Sequence, residues 1–230
     1  MVKRFFITGT DTEVGKTFVT QALMQAATKA GDTVLGFKPI ASGCEHIGGE
    51  LKNSDALTLQ AHSSISLPYK LHNPYAFAPA IAPHIAARQS NRTICCTRLS
   101  RDLASLSQHA VEWIFIEGAG GWRLPINEQH YLSDWVKDEQ LPVILVVGLR
   151  LGCINHALLS LEAIENDGLA VAGWVINHID PNMAQVKANI DTLTQRIKAP
   201  LLGEIPWLAN NAHQKGADFI DISPLSSAPI

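Results

Sequence analysis

The sequence predicts an α/β fold with a mostly parallel central sheet and helices on both faces. Three observations carry that expectation. Apolar runs alternate with amphipathic helical stretches along the chain. The runs are nearly continuous in β-branched and aromatic residues, as in strands buried on both faces. The first run leads into a glycine-bounded loop that opens a helix, the usual beginning of a phosphate-binding α/β unit.

The strand-like runs are Arg4–Thr8, Thr33–Lys38, Trp113–Glu117, Val143–Val147, Val171–Asn177 and a shorter one at Leu201–Ile205. Helical spacing links Phe18, Val19, Ala22, Leu23 and Ala26, and again Ile154, Ala157, Leu158, Leu161 and Ile164. It recurs at Met183, Val186, Ile190, Leu193 and Ile197, and at Leu99, Leu103, Leu106 and Ala110. Residues 42–91 break this rhythm with Gly48-Gly49 and Pro68, Pro74, Pro79 and Pro83, and hold a short helical patch at Asp55–Ala61. A loop-rich insertion of that length after a strand end reads as functional. The stretch from Asn210 onward has no periodicity and is expected to run over the surface. One domain covering 1–230 is the expectation.

Composition narrows the function. A net charge of −3 leaves no basic footprint for nucleic acid. Cys44, Cys95, Cys96 and Cys153 have no metal-ligand spacing, which suits a chain kept reduced. Only Phe5-Phe6-Ile7 follows the basic start, too little for a signal peptide, and the run Leu141–Leu149 contains Pro142 and is too short to span a membrane. A cytoplasmic protein without membrane partners is expected.

Ligands of open α/β sheets bind at the carboxyl ends of the strands. The first strand ends in Gly9-Thr10-Asp11-Thr12-Glu13-Val14-Gly15-Lys16-Thr17. There, backbone N–H groups and the helix N-terminus face phosphate oxygens, the Lys16 ammonium reaches the outer phosphates, and the Thr17 hydroxyl can ligate Mg²⁺. The first glycine stands one residue earlier than in the commonest form of this motif, because Thr10 occupies its usual place. Glu117 closes the third run where a metal-binding carboxylate belongs; a solvated strand end is the plainer reading. Asp55 is the second candidate acid, or an acid favoured by the dipole of a helix first turn. Lys38 ends a buried strand before Pro39, either to neutralise a transferring phosphoryl group or as a lysine stretched to the rim. Ser42-Gly43 and Gly118-Ala119-Gly120-Gly121 offer a hydroxyl and close backbone approach. Gly152-Cys153-Ile154-Asn155 opens a helix that suits a carboxylate or phosphate, or is simply capped by Asn155. Asn177-His178-Ile179-Asp180 partly matches a guanine-reading motif, with His in place of Lys; Asp180 before Pro181 also reads as a turn.

Six segments in order resemble the dethiobiotin synthetase family: residues 9–17, 38–43, 53–57, 117–122, 152–156 and 200–208. The longer phosphate loop is a feature of that family. The resemblance implies a P-loop NTPase-like fold and an ATP- and Mg²⁺-dependent ring closure that converts 7,8-diaminononanoate and CO₂ to dethiobiotin in biotin biosynthesis. It further implies a homodimer. On it, Lys38 and Lys16 are catalytic, and Thr17, Asp55 and Glu117 hold the metal. Glu13, Val14, Gly15, Lys16, Thr17, Gly118, Ala119 and Gly120 meet the nucleotide phosphates. Asn177, His178, Pro206, Trp207 and Leu208 form the adenine side, while Thr12, Ser42, Gly152, Cys153 and Asn155 meet the substrate. His178 departs from the Asp common in the family, and 209–213 lacks an acid often found near the nucleotide. The rival reading is a P-loop switch or partitioning-type ATPase whose nucleotide cycle drives partner binding.

Overall fold

The computed structural model describes residues 2–208 and 212–226. In chain order the first elements are β1 (Lys3–Gly9), α1 (Lys16–Lys29), β2 (Val34–Phe37), β3 (Ile40–Ala41), β4 (Glu45–Ile47) and β5 (Glu50–Lys52). They continue with α2 (Ser54–Ala61), α3 (Tyr69–His72), β6 (Tyr75–Ala76), α4 (Pro83–Gln89), α5 (Cys96–Leu106), β7 (Trp113–Glu117) and α6 (Leu132–Asp138). The remainder are β8 (Val143–Leu149), α7 (Cys153–Asn166), β9 (Val171–His178), α8 (Val186–Arg196), β10 (Leu201–Ile205), a 3₁₀ helix at Ala212–Phe219 and α9 (Ser223–Ser226).

Six strands form one sheet in the order β10-β9-β8-β1-β7-β2, every pairing parallel. Side chains of successive strand residues point to opposite faces, and both faces here are apolar. Phe5, Ile7, Phe115, Ile144 and Val146 join the layer under α1, with Val19, Ala22 and Leu23. Phe6, Ile114, Ile116, Val143 and Leu145 join the other layer, with Leu103 of α5, Trp135 of α6 and Leu161 of α7. The continuous apolar runs seen in the sequence follow from this double burial. No helix among the described residues is long and apolar enough to cross a membrane.

The insertion at 42–91 is more ordered than its sequence suggests. β3 pairs in parallel with β6, and β4 with β5 in a hairpin turned by Gly48-Gly49, both at positive φ. Positive φ at both central residues is the reason glycines serve such a two-residue turn. Strands of two or three residues are too short to show a period, so the ribbons were not legible in the sequence.

The stretch beyond Asn210 also departs from expectation. Residues 209–211 lie outside the described residues, and with them most of the departure noted at 209–213. From Ala212 the chain does not merely run over the surface: Ala217, Ile222 and Leu225 are buried in the α1 layer. Gly216 allows this by lying where a Cβ would meet Phe18 at 2.9 Å and Ala22 at 3.0 Å. Gly203 in β10 is tighter still, because an added Cβ would sit 2.1 Å from the Phe219 carbonyl oxygen. Gly203→Ala is therefore expected to push this segment off the sheet and cost about 1–3 kcal/mol. Denaturant unfolding of the variant checks it, and an unchanged midpoint would refute it.

Candidate nucleotide and substrate site

The loop after β1 is shaped by its backbone. Glu13 (φ 60°) and Gly15 (φ 86°) adopt left-handed conformations, and Gly15 caps α1 without a side-chain hydrogen bond. Val14 is buried beneath the loop, against Gly148, where a Cβ would meet it at 2.7 Å. The Asn177 amide donates to the Val14 carbonyl at 2.9 Å, and a Cβ on Gly15 would collide with that amide at 2.1 Å. Glycine at 15 is thus required twice, by its dihedral and by the close approach of Asn177. Asp11 pairs with Arg150 at 2.5 Å, and Lys16 Nζ donates to the Asp11 carbonyl at 2.8 Å. Burial, then the nearby Lys38 charge, brings the Lys16 ammonium down to about 8.

A cavity of about 800 Å³ opens beside this loop. Thr12, Glu13, Gly15, Lys16 and Thr17 line it from the loop, Lys38 from the end of β2, Ser42 from the end of β3, and Asp55 from α2. Glu117, Ala119 and Gly120 line it from the end of β7. At its floor Lys38, 4% exposed, donates to Asp55 Oδ2 at 3.1 Å, to Glu117 Oε1 and to the Gly118 carbonyl at 3.3 Å. Burial alone would lower the Lys38 pKa, but the Glu117 and Asp55 carboxylates outweigh it and hold the pKa above the ordinary lysine value. The Thr17 hydroxyl donates to the same Glu117 oxygen at 2.8 Å. Gly118 lies so close to β1 that a Cβ would meet Phe6 at 2.8 Å, which leaves its carbonyl turned to Lys38.

This donor set suits Mg²⁺. Glu117 is 0% exposed, and its Oε2 is buried with no hydrogen-bond partner. With Asp55 and the Thr17 hydroxyl it offers two carboxylates and a hydroxyl, and Mg²⁺ is commonly held by one or two carboxylates plus phosphates and waters. Among the described residues no group of three or more His, Cys, Asp or Glu is gathered for a metal, and an ion held here would draw its other ligands from phosphate and water oxygens.

The other sequence candidates lie apart from this cavity. Gly152 and Asn155 are exposed at the start of α7, with Cys153 buried between them and Leu151 beside them 91% exposed. Asn177 buttresses the phosphate loop from beneath. His178 Nε2 lies 2.8 Å from Glu204 Oε1, linking the ends of β9 and β10. Pro206 and Leu208 are half-buried just beyond β10, and Trp207 between them is 52% exposed. Asp180 Oδ1 accepts the Asn182 N–H at 2.9 Å, as in the turn reading. Sequence reasoning did not single out Tyr69, His72 or Asn73, which hold the main chain around Lys38, nor the Ile81-Ala82-Pro83 wall of the cavity. Only the proline at the start of α4 hinted at the wall.

A parallel sheet with a glycine-bounded phosphate loop at the end of β1, a lysine and threonine opening α1, and an acid ending β7 defines a P-loop nucleotide-binding protein. The AAA domain family model matches residues 3–215. The chain belongs to the ATP-dependent dethiobiotin synthetase family. It is 50% identical over 225 residues to the ATP-dependent dethiobiotin synthetase BioD of Aeromonas salmonicida, covering 98% of this chain and 100% of that one. It is 52% identical over 211 residues to BioD 1 of Escherichia coli K12, covering 92% and 93%. Among solved structures, MinD of Pyrococcus horikoshii matches with TM-score 0.57 at 16% identity over 99% of this chain and 90% of that one. A ParA family ATPase of Chlorobium tepidum matches with TM-score 0.55 at 17% identity over 100% and 94%. At such identities the latter two share the fold alone.

Proposed function

We propose that this chain closes the ureido ring of dethiobiotin from 7,8-diaminononanoate, CO₂ and ATP, with Mg²⁺, as one domain in the cytoplasm. Membership of the dethiobiotin synthetase family makes it an ATP-dependent ligase of biotin biosynthesis. The observation that carries the finer reading is the convergence of Lys16, Lys38, Ser42, Thr17, Asp55 and Glu117 on one cavity beside the phosphate loop.

One amine of the substrate attacks CO₂ and loses a proton to give a carbamate. A carbamate oxygen then takes the γ-phosphoryl group and ADP leaves. The second amine attacks the carbonyl carbon and releases a proton to solvent, phosphate departs, and the ring is closed. There is little covalent chemistry for the protein in such a transfer, so catalysis is positioning plus neutralisation of spreading negative charge. Lys16 and Lys38 supply fixed cations to the carbamate and phosphoryl oxygens. The Ser42 hydroxyl, buried without a hydrogen-bond partner, is left to the substrate. Thr17, Asp55 and Glu117 would hold Mg²⁺, which when bound neutralises the outer phosphate oxygens. The phosphates lie on the amides of residues 13–17 and beside 118–120, with the base toward Asn177, His178 and Pro206-Trp207-Leu208.

The start of α7 lies outside the cavity of its own chain. On the family resemblance Gly152, Cys153 and Asn155 serve the substrate carboxylate of a second copy in a homodimer, a reading supported by their place outside their own cavity and by the exposed Leu151 beside them. A switch ATPase is not favoured at this level of identity to BioD proteins.

The test is ATP consumption with and without diaminononanoate and bicarbonate. Turnover should require both, and ADP should accumulate in step with dethiobiotin. Hydrolysis indifferent to the diamine would overturn the reading and restore the switch.

A further inference from the structure

We infer that Tyr69 is a positioning residue whose hydroxyl holds Lys38, Asp55 and Ser42 in mutual register through Asn73 and Asn53. The inference rests on the catalytic reading of Lys38 above. Lys38 lies one residue beyond the end of β2, so no neighbour in the central sheet holds its main chain. Its N–H instead donates to the His72 carbonyl at 2.8 Å, and its carbonyl accepts from Asn73 Nδ2 at 2.6 Å. The Tyr69 hydroxyl donates to Asn73 Oδ1 at 2.9 Å, which fixes the direction of the Asn73 amide. The same oxygen accepts the Asn53 backbone N–H at 2.7 Å.

Asn53 then acts on two further residues. Its Oδ1 caps α2 by accepting the Ala56 N–H at 3.2 Å, which sets the first turn that carries Asp55. Its Nδ2 donates to the Ser42 carbonyl at 3.3 Å. The path closes on itself, because Asp55 accepts from Lys38 Nζ at 3.1 Å. Lys38, Asn53, Tyr69 and Asn73 are all buried, so a broken link is not replaced by bulk water. Burial pushes the phenol up to about 12, and it therefore remains an O–H donor at working pH. A phenylalanine fills the same space and supplies neither the donor nor the acceptor.

Tyr69→Phe, Asn73→Ala and the double variant are to be compared in the full chain, with kcat per folded molecule, both KM values and the melting temperature measured. Each single variant should lose kcat by about ten- to a hundredfold, the scale of a small misplacement of catalytic groups. KM for ATP should rise by a smaller factor than kcat falls, because the phosphate loop is no part of the path and only Asp55 links it to the nucleotide. The double variant should be no slower than the slower single one, since both cut one series of contacts. A lowered melting temperature with wild-type kcat well below the melt would overturn the proposal and leave Tyr69 a staple of the fold. Should Tyr69→Phe not fold, Asn73→Ala carries the same kcat expectation alone. Lys38→Met separates the two ideas. Wild-type turnover in Lys38→Met sinks the catalytic reading itself, whereas a slowed Lys38→Met beside a fully active Tyr69→Phe sinks only the positioning role.

Discussion

Lys38→Met is expected to slow ring closure by about a hundred- to a thousandfold and to destabilise the protein, and the two effects are separable. The lysine lies on Glu117, which is 0% exposed, and on Asp55 at 3.1 Å. Removing one partner of a buried ion pair strands the other, at a cost of about 3–5 kcal/mol. Losing a fixed cation aimed at developing charge costs roughly 2.7–4 kcal/mol of transition-state stabilisation, about a hundred- to a thousandfold in rate. A second change, Glu117→Gln, removes the stranded carboxylate. The double variant should therefore regain much of the lost stability in denaturant melts and none of the activity. Recovery of both, or of neither, would contradict the division of roles. The pH dependence has a definite sign. A lysine whose folded pKa lies above its ordinary value of 10.5 contributes stability that is complete below that value. The contribution is lost as pH rises through the higher folded pKa, so alkaline unfolding of the wild type should be steeper there than that of the double variant.

What the sequence made legible, and what it did not, divides along chain distance. Local patterning predicted all six strands of the central sheet within one or two residues of their ends, because double burial leaves an unbroken apolar run. With the strands in place, their carboxyl ends single out Glu117 as a metal-binding acid and Lys38 as a cation for the phosphoryl group, each separately; that the two side chains meet is visible only in the structure. Asp55 was visible as an acid in a helix first turn, but its approach to Lys38 depends on Asn53, Tyr69 and Asn73. Two of those contacts join residues 16 and 35 positions apart, where no spacing rule reaches, and the third is an i, i+4 pair on a helix of only four residues, too short to show a period. The support of Gly15 by Asn177 is as remote: the residue that the family resemblance puts on the adenine side also donates to the Val14 carbonyl beneath the loop, 163 positions away. The 3₁₀ segment at Ala212–Phe219 was missed for a different reason. Over residues 215–219 only Gly216 and Ala217 are buried, which makes no period, and the docking depends on glycines at 203 and 216 that make room for it.

Lys16 should make nucleotide binding consume protons in mildly alkaline solution. Its ammonium, 7% exposed, is brought down to about 8 by burial and by Lys38, and it donates to the Asp11 carbonyl. Triphosphate oxygens beside it would favour the charged form and raise its pKa, as any close opposite charge does. Between the free and the bound pKa the complex therefore holds more protons than the separate partners. By linkage, affinity must fall as pH climbs above about 8, by up to about tenfold per pH unit. The triphosphate's own last ionisation lies lower, as for a phosphate ester with a pKa near about 6, so it does not mask the effect. Calorimetry of ATP binding in two buffers of different ionisation heat measures the proton uptake directly. Uptake should be small at pH 7, where Lys16 is mostly charged already, and should grow toward one proton near pH 9. Lys16→Met should abolish it, weaken binding, and cost roughly 2.7–4 kcal/mol in the transition state. Equal proton uptake in that variant would mean that another group titrates and that the lysine does not meet the phosphates. The geometry gives the idea a structural consequence as well. An ammonium carries three donors and Lys16 directs one at the Asp11 carbonyl, so two can meet phosphate oxygens while that bond persists. The Asp11 carboxylate is tied to Arg150 at 2.5 Å, which helps hold the carbonyl in place beneath the lysine.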